Sequence, residues 1–193
     1  MDRGNNGLQS KWGARFMKAA LFQGALAIGL TAYLLYQGVF GVPAASRIVA
    51  GGGAGMWLTV GYFAYIIMGV LGTMAAALFF RHLEIDLKRR FNKWTSGIAW
   101  ITLVTWNVGI VGGTWLTMYA GYAGGAAAMS TASGGLGYTA AQVHSLVIAA
   151  FPTPIALFLA VALLGAFLGL LVAALVWLRP AEVESPYEAS VGQ

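Results

Sequence analysis

Two histidines, six carboxylates and no cysteine make up the chain's stock of residues that ligate metals or move protons. Without cysteine there is no disulfide, thiolate metal site, iron–sulfur cluster or thiol redox chemistry within the chain. His82 lies in RHLEIDLKRRFNK (81–93) and His144 in YTAAQVHSLVIAAF (138–151). Two axial imidazoles would make a haem site, but apolar segments set these two at opposite faces of a membrane whose core is about 30 Å thick. A haem held by one histidine would fall to His144, which shares its short helix with Tyr138 and Gln142. The competing reading is an interfacial histidine bonded to backbone or to a partner. Glu84 and Asp86 stand beside Lys88, Arg89 and Arg90, so ion pairing is expected of them rather than acid–base work. The run Gly51-Gly52-Gly53 lacks the Lys and Ser/Thr of a phosphate loop and reads as a flexible connection. Gln23, Gln37 and Asn107 are the strongly polar side chains within apolar stretches. Asn107 reads as a bond between helices, worth about 0.6–2 kcal/mol, with a quinone or lipid contact as the alternative.

The elements that must position these residues follow from composition. Of 193 residues, 59% are hydrophobic and 9% charged, and mean hydropathy is +0.75. A soluble domain has about 25% charged residues, so a cytosolic globular enzyme, a disordered chain and a free nucleic-acid binder are excluded, and no nucleic-acid partner is expected. A spanning helix needs about 20 mostly apolar residues, and four stretches qualify: 17–40, 56–80, 94–120 and 154–178. The expected fold is all-α: an integral membrane four-helix bundle, one domain over 1–193, with a short helix at about 138–151. The first span follows Lys11, Arg15 and Lys18 like a signal peptide. Its apolar run exceeds the 7–15 residues of a signal core, so it reads as a retained helix. No Asp, Glu, Arg or His lies within a span, and Lys18 at an edge can snorkel to the interface. A proton pump, proton-coupled carrier or intramembrane protease would therefore have no titrating group.

Charge sets the expected orientation. Ten of the eleven Lys and Arg fall in the N-terminal arm (1–16) with Lys18, the 81–93 connection and the C-terminal tail (179–193); Arg47 is the exception. That side is expected to be cytoplasmic, with both termini on it, in a multi-pass protein of the cell membrane. Residues 81–93 read as a short amphipathic helix whose Lys88, Arg89, Arg90 and Lys93 could meet anionic head groups; an ordinary positive-inside loop is the simpler reading. Residues 121–137, GYAGGAAAMSTASGGLG, read as a flexible uncharged loop, which a partner could order. The Pro-Thr-Pro at 152–154 should break or kink the short helix before the fourth span.

Small residues recur at helical spacing in every span. The stripes include Ala20, Gly24, Ala27 and Thr31 in the first, and Gly61, Gly69 and Gly72 in the second. Thr102, Thr105, Gly109, Gly112 and Gly113 form the third, and Ala162, Gly165 and Gly169 the fourth. In lipid, helices associate by close packing, so such stripes mark interfaces. They serve either the bundle itself or another subunit.

The segment GMWLTVGYFAYIIMGVLGTMAAALFFRHLE (55–84) resembles the second span of small membrane proteins that accompany archaeal haem–copper terminal oxidases. It has Gly-x-Trp, Val-Gly-Tyr and Val-Leu-Gly, then aromatics before His-Leu-Glu. VHSLVIAAFPTPIALFLAVALLG (143–165) is similar in style. The resemblance implies a non-catalytic accessory subunit without a cofactor of its own, with haem and copper in partner subunits and lipids around it. No catalytic or metal-ligating residue carries over. Two other readings stand beside it. One is a subunit of an oligomeric channel or carrier lined by Thr102, Thr105 and Asn107; the other is a single-haem or quinone-binding subunit.

Overall fold

The computed structural model describes residues 10–178. They form α1 (Lys11–Phe40), the short α2 (Ala45–Ala50), α3 (Gly53–Asp86), α4 (Lys93–Ala128), α5 (Ala140–Leu146) and α6 (Pro152–Trp177). The fold is all-α, and α1, α3, α4 and α6 are each long and apolar enough to cross a membrane. The expected spans fall inside these four helices, except that α6 ends at Trp177, one residue short of the expected 178. α3 packs against α1 on one side and α4 on the other, and α4 and α6 share the longest seam.

All four long helices meet in a core at one end, built by Trp12 and Phe16, Ala77, Phe80 and Leu83, Ala99, and Val172 and Val176. This end carries eight of the nine described Lys and Arg residues and is called the basic end below. A middle core joins Ala27, Leu58, Tyr65, Ile110, Met118 and Ala162. At the far end Ala120, Ala127, Val143 and Ile148 tie α4 to the short α5 and the turn that follows it.

The helix ends differ from the sequence expectation in three places, each for a local reason. α1 starts six residues earlier than the first apolar stretch, at Lys11, because Ser10 caps it by accepting from Gly13 N (3.0 Å) and because Trp12 and Phe16 are buried. The N-terminal arm therefore contributes a helical turn to the core. Residues 1–9 and the tail 179–193, with Arg3 and Arg179, lie outside the described residues.

Residues 81–93 do not form a helix of their own. α3 runs on through Asp86, and the chain turns at Lys88, which adopts a left-handed conformation (φ 50°). That turn lets Arg89 N donate to Leu83 O (2.9 Å), closing the π-helical end of α3. α4 then begins at Lys93, capped by Asn92, whose Oδ1 accepts from Thr95 N (2.9 Å).

At the other end, α4 continues to Ala128, so half of the expected Gly/Ala-rich loop is helix. Glycine weakens a helix by roughly 0.5–1 kcal/mol relative to alanine; here contact with the start of α3 outweighs that cost. A Cβ at Gly121 would lie 2.6 Å from Trp57 C, and one at Gly125 would lie 3.0 Å from Gly55 Cα. Only glycine permits that approach. The remaining loop is held by its own backbone, with Gly137 N donating to Met129 O (2.8 Å) and Tyr138 N to Ala127 O (3.0 Å). α5 opens with a capping box between Thr139 and Gln142. Pro152 and Pro154 occupy the first turn of α6, where proline's missing N–H costs nothing.

Candidate functional site

The middle of the bundle holds a chain of polar side chains drawn from three helices. Tyr65, on α3, is fully buried, and its hydroxyl donates to Gln23 Oε1 on α1 (2.6 Å). Gln23 Nε2 donates in turn to Asn107 Oδ1 on α4 (2.8 Å). Asn107 Nδ2 then donates to Leu103 O within α4 (2.7 Å). In lipid the alternative to such pairing is an unmet polar group in hydrocarbon, so the relay links α1, α3 and α4 side by side. Nearby, Trp106 Nε1 donates to Thr73 Oγ1 (3.0 Å), and Thr31 and Tyr62 hydroxyls pair at 2.8 Å.

Tyr65 escapes notice in the sequence because nothing distinguishes it from an interfacial aromatic. It reaches Gln23 from the first position of an eight-residue π-helical stretch, Tyr65–Gly72. A π turn widens the helix locally and re-aims its side chains. A Cβ at Gly69 would fall 2.9 Å from the Tyr65 ring, so that glycine leaves room for the ring against its own helix.

The small-residue stripes of α4 and α6 face each other. A Cβ at Gly109 would lie 2.7 Å from Ala162 Cα and from Phe158 O. One at Gly165 would lie 2.6 Å from Trp106 N, one at Gly113 2.8 Å from Leu159 Cδ2, and one at Gly169 3.1 Å from Thr102 Cγ2. On α3, a Cβ at Gly61 would meet Met118 N at 2.8 Å, and one at Gly72 would meet the Trp106 ring at 3.1 Å. Gly24 differs: nothing lies within 4 Å of where its Cβ would be, so it serves no helix contact among the described residues.

Thr102, Thr105 and Asn107 do not line one path. Thr102 is buried against α6, Thr105 Oγ1 bonds back to Ile101 O (2.7 Å), and Asn107 turns toward α1. Among the described residues, Thr102 Oγ1 has no hydrogen-bond partner.

At the basic end, Glu84 reaches across from α3 to the first turn of α1. Its Oε2 accepts from Ser10 Oγ (2.5 Å), Trp12 N (2.9 Å) and Gly13 N (3.2 Å). A carboxylate there satisfies orphan N–H groups and meets the positive end of the helix dipole. Asp86 bonds to His82 Nδ1 (2.6 Å). Arg89 and Arg90 line a cavity of about 230 Å³ together with Glu84, Lys11 and Ser10. The Arg15 guanidinium sits 4.5 Å from the Trp12 ring and 4.7 Å from the Trp100 ring, a cation held between two indoles. Lys88, Arg90 and Lys93 are exposed around the α3–α4 turn, and Arg89 is half-buried.

His144 is exposed on α5, at the opposite end from His82. The side chain of Gln142, its neighbour, is engaged in the Thr139 capping box. Among the described residues no group of three or more His, Asp or Glu is placed to hold a metal ion.

Four helices long and apolar enough to cross a membrane, seamed by glycines and cross-linked by a polar relay, are the make-up of a multi-pass α-helical membrane protein. No family model, curated protein or solved structure matches the chain.

Proposed function

We propose that the chain is a non-catalytic accessory subunit of a membrane respiratory complex, a haem–copper terminal oxidase in particular. In this reading haem and copper belong to the partner subunits, and this chain buries its surface against them. The observation that carries it is the end opposite the basic one. Between Phe40 and Gly53, and between Ala128 and Pro152, the chain carries one charge, Arg47. Yet Val42 (80% exposed), Leu146 (66%) and Leu136 (58%) point outward from a folded cap. These are the apolar side chains that this reading buries against a partner subunit. The order of the 129–139 loop comes from the chain's own contacts, so the apolar exposure, not the loop's length, is what calls for a partner.

The basic end faces the cytoplasm in this reading, following the positive-inside rule. Lys88, Arg89, Arg90 and Lys93 then lie at anionic lipid head groups, each worth about 1 kcal/mol. A channel or carrier is less well supported, because Thr102 and Thr105 lie against α6 while Asn107 turns toward α1.

Gentle detergent extraction from native membranes tests the proposal, with mass by size exclusion and a visible spectrum read on the same peak. Co-migration with haem-bearing subunits, the isolated chain being colourless, is the expected outcome. A colourless homo-oligomer migrating alone would overturn it.

A further inference from the structure

The polar relay leaves hydrogen-bonding capacity unused. A carboxamide carries two N–H groups. Gln23 Nε2 spends one on Asn107, and Asn107 Nδ2 spends one on Leu103 O. Neither amide has a second acceptor among the described residues. Both residues line a groove of about 550 Å³ between α1 and α4, walled by Phe22, Leu26, Val104 and Phe158. That volume falls within the range of about 300–1,000 Å³ of small-molecule sites, and apolar walls with a few placed polar groups are their usual make-up.

We propose that this groove binds a lipophile carrying a carbonyl acceptor within its apolar body, of the quinone or ketone class. The two spare N–H groups would donate to that oxygen. Depth selects against an ordinary phospholipid. Asn107 is the midpoint of the apolar stretch 94–120, 13 residues from either end, about 20 Å along the axis at 1.5 Å per residue. Phospholipid ester carbonyls remain near the head groups and do not reach that depth. Hydrocarbon alone fills the walls but leaves both donors unmet, which is costly in an apolar medium.

The test uses the full chain in nanodiscs of synthetic phosphatidylcholine free of quinone. Decylubiquinone is the probe, and dodecylbenzene supplies similar apolar bulk without a carbonyl. Thermal unfolding is followed by circular dichroism, and the quinone carbonyl stretch by infrared difference spectroscopy. Decylubiquinone should raise the melting temperature and dodecylbenzene should not, and the bound carbonyl band should shift to lower frequency. Asn107→Leu should weaken binding about tenfold, as for loss of one hydrogen bond. Because Asn107→Leu also cuts the relay, Val104→Trp is the second variant. Val104 is 52% exposed, so this change fills the groove without entering the core. It should melt like the unmodified chain alone and lose the response to quinone. No rise with decylubiquinone, an equal rise with dodecylbenzene, or an undiminished rise in Val104→Trp would each overturn the proposal.

Discussion

Gly109→Ala is the sharpest test of the α4–α6 seam. The new methyl would lie 2.7 Å from Ala162 Cα and Phe158 O. Those neighbours are backbone atoms of α6, so no side-chain rotation relieves the overlap and the two helices must separate. Overpacking of this kind costs about 1–3 kcal/mol, and a rigid backbone neighbour places it at the upper end. Alanine's helix preference returns roughly 0.5–1 kcal/mol, which leaves a net loss of about 2 kcal/mol. At roughly 2–4 °C per kcal/mol for a chain of this length, the melting temperature should fall by about 4–8 °C. Gly24→Ala is the matched control, since nothing lies within 4 Å of its added methyl. It keeps the helix-preference gain alone and should raise the melting temperature by about 1–4 °C. Gly165→Ala strains the same seam from the other side. Combined with Gly109→Ala it should cost less than the sum, because helices already parted accept the second methyl more easily. The assay is thermal unfolding of the purified chain in one detergent. A Gly109→Ala variant that melts with the unmodified chain, or a Gly24→Ala variant that falls as far, would refute the reasoning.

Three further outcomes follow from the polar groups. Gln23→Leu and Asn107→Leu, taken as a double-mutant cycle, should show a coupling of about 0.6–1.7 kcal/mol; independent effects would mean that the two side chains do not bond. Glu84→Gln should lower stability by about 1 kcal/mol, because the neutral amide loses the charge that faces the α1 N-terminus. Asp86→Asn, at an exposed His82 pair, should change it by less than about 0.5 kcal/mol, and equal effects would remove the cap from the account of α1. Lys88→Gly should raise stability by about 1 kcal/mol, since the left-handed conformation costs a non-glycine residue about 1–2 kcal/mol and glycine's greater unfolded freedom offsets part of the gain; a loss would show that the Lys88 side chain matters more than its backbone.

The four spans were legible because bilayer thickness imposes a length that a run of apolar residues reveals directly. The spacing of Gly109 with Gly113 and of Gly165 with Gly169 was equally plain. Which faces meet depends on the rotation of whole helices, and a single span carries no record of it. Asn107 could be singled out because an amide in hydrocarbon needs a partner. That the partner is Gln23, and that Tyr65 completes the relay, depends on contacts 84 and 42 residues apart in the chain. Glu84 illustrates the same limit. Its basic neighbours suggest local ion pairs, whereas its oxygen serves N–H groups 71 and 72 residues away. The run 121–128 misled for a different reason. Its glycines look like loop residues by propensity, and only the approach of Gly55 and Trp57 explains a helix there.

The π-helical stretch in α3 also sets the phase between the two halves of that helix. Before Tyr65, Gly61 faces α4; beyond Gly72, Glu84 faces the start of α1. Each residue of an α-helix advances about 100° around the axis, so removing one residue from the α-helical stretch Thr73–Arg81 would turn Glu84 against Gly61 by that angle. The α4 seam and the α1 cap could not then both form. The length of α3 is thus counted in residues and not only in ångströms. The bilayer would tolerate a helix one residue shorter, but the bundle around it would not.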